Sequence, residues 1–149
     1  MKVGDSVPHF KLPNQDWNEV SSENLLGEPF VVYFYPRDDT PGCTRQACAF
    51  RDQFSDFEDQ GVQVIGISAD SPEDHREFKE KYDLPFELLS DPDRKIHKKF
   101  GVAAKLLGLL PSRVTYIFDQ EGTLVHIFSS ATNMTRHVAE SLDALKELK

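Results

Sequence analysis

Cysteine is scarce in this chain: 149 residues carry two. That excludes the disulfide-dense scaffold of small secreted domains, and a chain of this length builds a core without staples. Positive charge is also short. Lys and Arg number 17 against 25 Asp and Glu, a net charge of -8, which argues against nucleic acid or an anionic membrane surface as a partner. No apolar run approaches the length of a membrane span. No P-loop and no GxGxxG is present. The histidines (His9, His75, His97, His126 and His137) are scattered without ligand spacing. Two cysteines five positions apart also make a poor zinc pair, so neither metal nor cofactor is expected. The acidic cluster Asp56-Phe57-Glu58-Asp59 reads as a solvated helix end. No repeat, linker or low-complexity stretch divides the chain, so one domain over 1–149 is expected. Met1-Lys2-Val3-Gly4-Asp5 leads straight into polar sequence with no sign of a signal or transit peptide. The expectation is a cytoplasmic protein, and a monomer.

Both cysteines fall in one stretch, Pro36 to Cys48. It follows Phe30-Val31-Val32-Tyr33-Phe34-Tyr35, an apolar run rich in β-branched and aromatic residues that reads as a buried strand stopped by Pro36. Thr40 has the character of a helix N-cap and Pro41 of a first helical residue. Cys43 is then the third helical residue, facing the Thr40 hydroxyl, free backbone N–H groups and the positive end of the helix. All of these favour a thiolate over a thiol. Cys43, Ala47, Phe50, Phe54 and Phe57 form one apolar stripe along a helix ending near Gly61. Cys48 sits roughly 140° around from Cys43, nearer the polar face. Two buried inert cysteines would be the ordinary reading of such residues. Their place at a helix start favours redox or catalytic use.

The remaining pattern alternates strands and helices. Val7–Leu12 reads as an edge strand, with Trp17–Val20 pairing back on it. A capped turn follows at Ser21–Gly27. Val62–Ser68 is a second buried strand, and Ser71-Pro72-Glu73-Asp74 starts a helix to about Tyr82. Phe86–Leu89 is a short strand. Asp91-Pro92 should cap a helix through about Phe100, and Lys105–Pro111 should be a loop. Val114–Phe118 and Leu124–Phe128 should form a β-hairpin. Thr135–Lys149 should be an amphipathic helix with Val138, Leu142, Leu145 and Leu148 on one face. The pattern implies an α/β fold, a mixed central sheet flanked by helices.

The run PxxxTPGCTxxAC after a Phe-Tyr-Pro strand end resembles the active site of the peroxiredoxins. The Cys-x4-Cys spacing is similar to that of the bacterioferritin-comigratory-protein or Q-type subfamily, the atypical two-cysteine kind. The likeness continues through Ile67-Ser68-Ala69-Asp70-Ser71, Leu84-Pro85-Phe86, Leu89-Ser90-Asp91-Pro92 and Pro111-Ser112-Arg113-Val114-Thr115-Tyr116. It implies a thioredoxin-like fold with an N-terminal extension and peroxiredoxin-type insertions. It implies a peroxidase that reduces hydrogen peroxide or organic hydroperoxides at Cys43, giving a sulfenic acid. Cys48 then condenses with it to a disulfide, and thioredoxin or a similar dithiol regenerates both thiols.

An anionic sulfur alone does not explain fast attack on an O–O bond. Groups must also hold the peroxide in line and stabilise the leaving oxygen. The Thr40 hydroxyl and the Gly42 and Cys43 N–H groups are candidates. Arg37, Arg45 and Arg113 are the candidate cations, and spacing does not choose among them. The resemblance implies Arg113, and it makes Pro36 a shield over the cysteine. Gln46 stands where peroxiredoxins usually carry a Glu that orients the arginine; an amide keeps the acceptor and loses the charge. Two other classes remain open. A disulfide oxidoreductase would want Cys-x-x-Cys, which is missing. A non-enzymatic redox sensor or holdase would use Leu106-Leu107-Gly108-Leu109-Leu110 as a contact patch.

Overall fold

The computed structural model describes residues 1–102, 104–105, 110–111, 113–130 and 133–148. Lys11–Pro13 (β1) and Glu19–Ser21 (β2) form a small antiparallel pair. A 3-10 turn at Ser22–Leu25 follows, closed by a capping box in which Ser21 and Asn24 satisfy each other's backbone ends. Phe30–Phe34 (β3) is buried along its whole length. Pro41–Asp52 (α1) and Phe54–Asp59 (α2) come next, then Gln63–Ser68 (β4), Pro72–Tyr82 (α3), Glu87–Ser90 (β5) and Lys95–Phe100 (α4). Ala104–Lys105 (β6) pairs with Leu110–Pro111 (β7). Val114–Phe118 (β8), Leu124–Ser129 (β9) and Met134–Lys146 (α5) complete the chain.

The central sheet has the order β5-β4-β3-β8-β9. β3 and β4 are parallel, as are β4 and β5, whereas β8 runs antiparallel to both β3 and β9. Strand alternation builds two cores. Phe30, Val32 and Phe34 face Phe10, Leu25, Ile96 and Phe100, so the N-terminal pair and α4 cover that side. Val31, Tyr33 and Tyr35 face Phe50, Phe57, Phe78 and Val138, so α1, α2, α3 and α5 cover the other. Each large apolar side chain fully buried in this way contributes about 1.5–3 kcal/mol. The consequence for chemistry is positional: β3 ends, and α1 begins, beside the start of β8.

Several elements depart from their sequence-based expectation. The cysteine helix is two helices, broken at Gln53, and the apolar stripe continues across the break: Phe50 and Phe57 are both buried. α4 starts at Lys95 rather than Asp91, because the Asp91 carboxylate reaches forward to the His97 N–H and ring instead of capping a first turn. Leu148 lies past the end of α5 and is exposed. The expected 105–111 loop is closed by the β6–β7 pair. Leu106–Leu109, the core of the contact patch considered above, lies outside the described residues. Among the described residues no helix is long and apolar enough to cross a membrane.

Candidate active site

The local sequence sets the cysteine's place. Thr40 is the N-cap of α1 with extended backbone, and Pro41 is its first helical residue. Cys43 is therefore third in the helix, as its position after Thr40-Pro41 leads one to expect. The first closed helical bond runs from Thr44 N to Thr40 O at 2.8 Å, so the N–H groups of Gly42 and Cys43 have no partner within the helix. Cys43 is buried and Cys48 half-buried; both are free thiols on one continuous helix.

Arg113 arrives from far away in sequence. In the β3–β8 register Phe34 is paired with Val114. That brings the residue before β8 against the residues after β3. Arg113 is buried, and its Nη1 donates to Cys43 Sγ at 3.3 Å and to Gln46 Oε1 at 2.7 Å. Gln46 sits one turn beyond Cys43 and is fully buried. Its amide oxygen accepts from Arg113 where peroxiredoxins usually carry a carboxylate. The Arg113 carbonyl is fixed in turn by Ser130 N at 3.3 Å and Ser129 Oγ at 3.4 Å. Arg37 and Arg45, the other cations considered, are exposed. Among the described residues the sulfur's side-chain donor is Arg113.

Thr40 departs from expectation. Its hydroxyl caps no helix N–H and instead donates to the Arg37 carbonyl at 2.9 Å. With its one proton used there, Thr40 has only lone pairs left to offer. Pro36 is half-buried in the turn leading to it.

One set of residues near this turn was not foreseen. Asp38 is almost wholly buried: it accepts from Tyr35 Oη at 2.5 Å and lies 2.5 Å from His75 Nδ1. Its N–H donates to Asp70 Oδ2 at 2.8 Å, and Ser68 Oγ donates to the same oxygen at 2.6 Å. Burial pushes the Asp38 carboxyl above its ordinary range, opposed by the bonds from His75 and Tyr35. Asp38, Asp70 and His75 bring ligand-type atoms within 4.8 Å of one another. Asp38 and His75 use theirs on each other, and Asp70 Oδ2 takes two donors, so the cluster is a hydrogen-bond network rather than an open cation site. The signal available in sequence was faint: a histidine in the first turns of a helix, and two acids before the N-cap.

A buried cysteine at a helix start, an arginine donating to its sulfur and a second cysteine on the same helix define a cysteine-based redox site on a mixed α/β sheet. Residues 3–127 match the AhpC/TSA family. The chain is 48% identical over 145 residues to the chloroplastic peroxiredoxin Q of Oryza sativa subsp. japonica, covering 97% of this chain and 67% of that protein. It is 47% identical to the chloroplastic peroxiredoxin Q of Populus jackii, covering 97% and 68%. Among solved structures, the peroxidoxin BcpB of Mycobacterium tuberculosis superposes with a TM-score of 0.93 at 35% identity, covering 100% of this chain and 99% of that one. The bacterioferritin comigratory protein of Xanthomonas campestris gives 0.86 at 28% identity, covering 93% and 91%. The chain belongs to the AhpC/TSA family of peroxiredoxins, and within it to the Q type. Its fold is thioredoxin-like. It is a thiol-dependent peroxidase that works through a cysteine and a disulfide, with a peroxide as substrate and a thioredoxin-type dithiol as reductant.

The cytoplasmic expectation is corrected by the same relatives. The rice and poplar proteins are named chloroplastic, a finding that overturns the expected compartment. That expectation rested on the reading of the first few residues.

Proposed function

We propose that Cys43 is the residue that attacks peroxide and Cys48 the one that resolves it. The observation that carries this reading is the Arg113 Nη1 to Cys43 Sγ contact at 3.3 Å, at the third position of α1. A guanidinium donor and the helix terminus both favour sulfur as an anion. The Cys43 thiolate attacks one oxygen of the hydroperoxide; the O–O bond breaks, leaving Cys43 as sulfenic acid and releasing an alkoxide or hydroxide that takes up a proton. Arg113 and the Gly42 and Cys43 N–H groups stabilise charge on the departing oxygen. Thr40, its own proton held by the Arg37 carbonyl, accepts from the hydroperoxide O–H and sets its orientation. Pro36 shields the sulfur from solvent. The Cys48 thiol then attacks the sulfenic sulfur, water leaves, and a Cys43–Cys48 disulfide forms. A dithiol protein such as thioredoxin reduces it by exchange and is itself oxidised.

The unit acts as one domain over 1–149, and as a monomer. Peroxide consumption coupled to thioredoxin oxidation tests the whole reading. Cys43→Ser should abolish it, and Cys48→Ser should react once and stall. A Cys43→Ser protein with full activity would overturn the assignment.

A further inference from the structure

The turn that delivers Thr40 and Cys43 is held by side chains outside it. Asp39 has left-handed backbone, φ 56°, a conformation uncommon outside glycine that aspartate tolerates better than most residues. Its carboxylate takes Lys81 Nζ and Tyr82 Oη, both at 2.8 Å. One residue earlier, the Arg37–Asp38 peptide is gripped at both ends. Its carbonyl accepts the Thr40 hydroxyl, and its N–H donates to Asp70. The Asp38 side chain is locked between Tyr35 and His75. His75 Nε2 lies 2.9 Å from the Leu89 carbonyl, which can only accept, so that nitrogen carries the hydrogen. A single proton therefore joins Asp38 to Nδ1. The pair is buried, fully hydrogen-bonded and 37 positions apart in sequence.

We propose that Asp38 and His75 are positioning residues for peroxide attack. They fix the Arg37–Asp38 peptide, and with it the carbonyl that keeps the Thr40 hydroxyl turned so that its lone pairs serve the substrate. The inference rests on the roles given to Cys43 and Thr40 above. The imidazole bridges α3 and β5 to the turn, so the frame that holds the turn stays in place while α1 changes. A fully satisfied buried network of this kind specifies one geometry.

Two near-isosteric substitutions separate the bonds of the imidazole. His75→Asn places its amide near Nδ1, keeping the Asp38 bond and losing that to Leu89. His75→Gln places its amide near Nε2, keeping Leu89 and losing Asp38. The rate of Cys43 oxidation by hydrogen peroxide is followed by quenched-flow mass spectrometry, and alkylation of Cys43 by iodoacetamide is measured beside it. His75→Gln should oxidise about tenfold or more slowly, with alkylation altered less than about twofold, because only peroxide attack needs the aligned Thr40. His75→Asn should recover most of the lost rate. Should His75→Gln fail to fold, Asp38→Ala against Asp38→Asn makes the same comparison, with Asn recovering the rate. A His75→Gln protein that oxidises normally, a parallel fall with both reagents, or Asn worse than Gln would overturn the proposal. A wild-type Cys43 that ignores peroxide would instead overturn the reading on which it rests.

Discussion

Arg113 Nη1 donates both to Gln46 Oε1 at 2.7 Å and to Cys43 Sγ at 3.3 Å, the longer distance matching the larger radius of sulfur. One nitrogen thus bridges the buried amide and the sulfur, so the amide helps to fix where the guanidinium meets Cys43. Gln46→Ala should leave Arg113 in place but loose, lowering the rate of sulfenate formation about tenfold. Gln46→Glu keeps an acceptor and should lose less. If Gln46→Ala oxidised at the wild-type rate in a stopped-flow assay, the amide would have no part in orienting the arginine.

Arg113 is expected to matter more in the transition state than in the resting enzyme, because charge on the leaving oxygen exists only there. Removing one such preorganised donor costs about 10²–10³ in rate. Arg113→Ala should fall in that range at the sulfenate step, whereas Arg45→Ala, at an exposed position, should change little. A larger defect in Arg45→Ala would mean that the wrong cation had been assigned.

Acid should weaken the fold through His137. This residue is fully buried; Thr115 Oγ1 lies 2.7 Å from Nδ1 and the Ser130 carbonyl 2.9 Å from Nε2. The carbonyl requires the hydrogen on Nε2, so a neutral ring satisfies both contacts. Burial lowers its pKa from 6.5 to about 4, with the Arg113 charge adding to the effect. The unfolded chain thus binds a proton that the native chain refuses, and stability falls as pH drops from about 6.5 to about 4. The full interval is worth of the order of 3 kcal/mol. Urea unfolding across this range should show a shallower loss for His137→Asn than for the wild type; identical slopes would sink the argument.

What could be read from the chain was local, and what could not was brought by the sheet. Thr40-Pro41 marked the start of α1 because proline tolerates the first helical position, and that alone placed Cys43. Buried runs such as Phe30–Phe34 declared themselves as strands by composition. The break at Gln53 was hidden because the apolar stripe runs through it. Whether Thr40 would cap an N–H or turn to the Arg37 carbonyl is a choice of rotamer, set by an Asp38 peptide that His75, Tyr35 and Asp70 hold. Arg113 lies 70 residues from Cys43, and no spacing rule joins them. The Phe34–Val114 register does so.

Disulfide formation cannot leave the α1 helix intact. Residues five apart in an α-helix are separated by about 7.5 Å along the axis, which with their angular offset puts the Cα atoms roughly 8–9 Å apart. A disulfide needs them within about 7 Å, with the Cβ vectors converging. Cys43 points into the core and Cys48 toward the surface of one unbroken helix, so no side-chain rotation joins them. The Cys43–Cys48 segment must unwind on oxidation. Two features bound that unwinding. Before it, Asp38 and Asp39 are tied to α3 through His75, Lys81 and Tyr82. After it, Phe50 is fully buried and stacked on Tyr33 at 4.7 Å, and Arg51 Nη1 donates to the Tyr82 carbonyl at 2.7 Å. Unwinding pulls Ala47 from the core and detaches Gln46 from Arg113, so the oxidised form gives up its aimed cation while it exposes its disulfide to the reductant. Amide exchange after one equivalent of peroxide should rise across Thr44 to Ala49 and stay protected at Phe34 and Phe78. An oxidised protein with a Cys43–Cys48 bond and unchanged protection over that segment would refute the unwinding. An oxidised protein in which Cys48 remained a free thiol would refute the pairing.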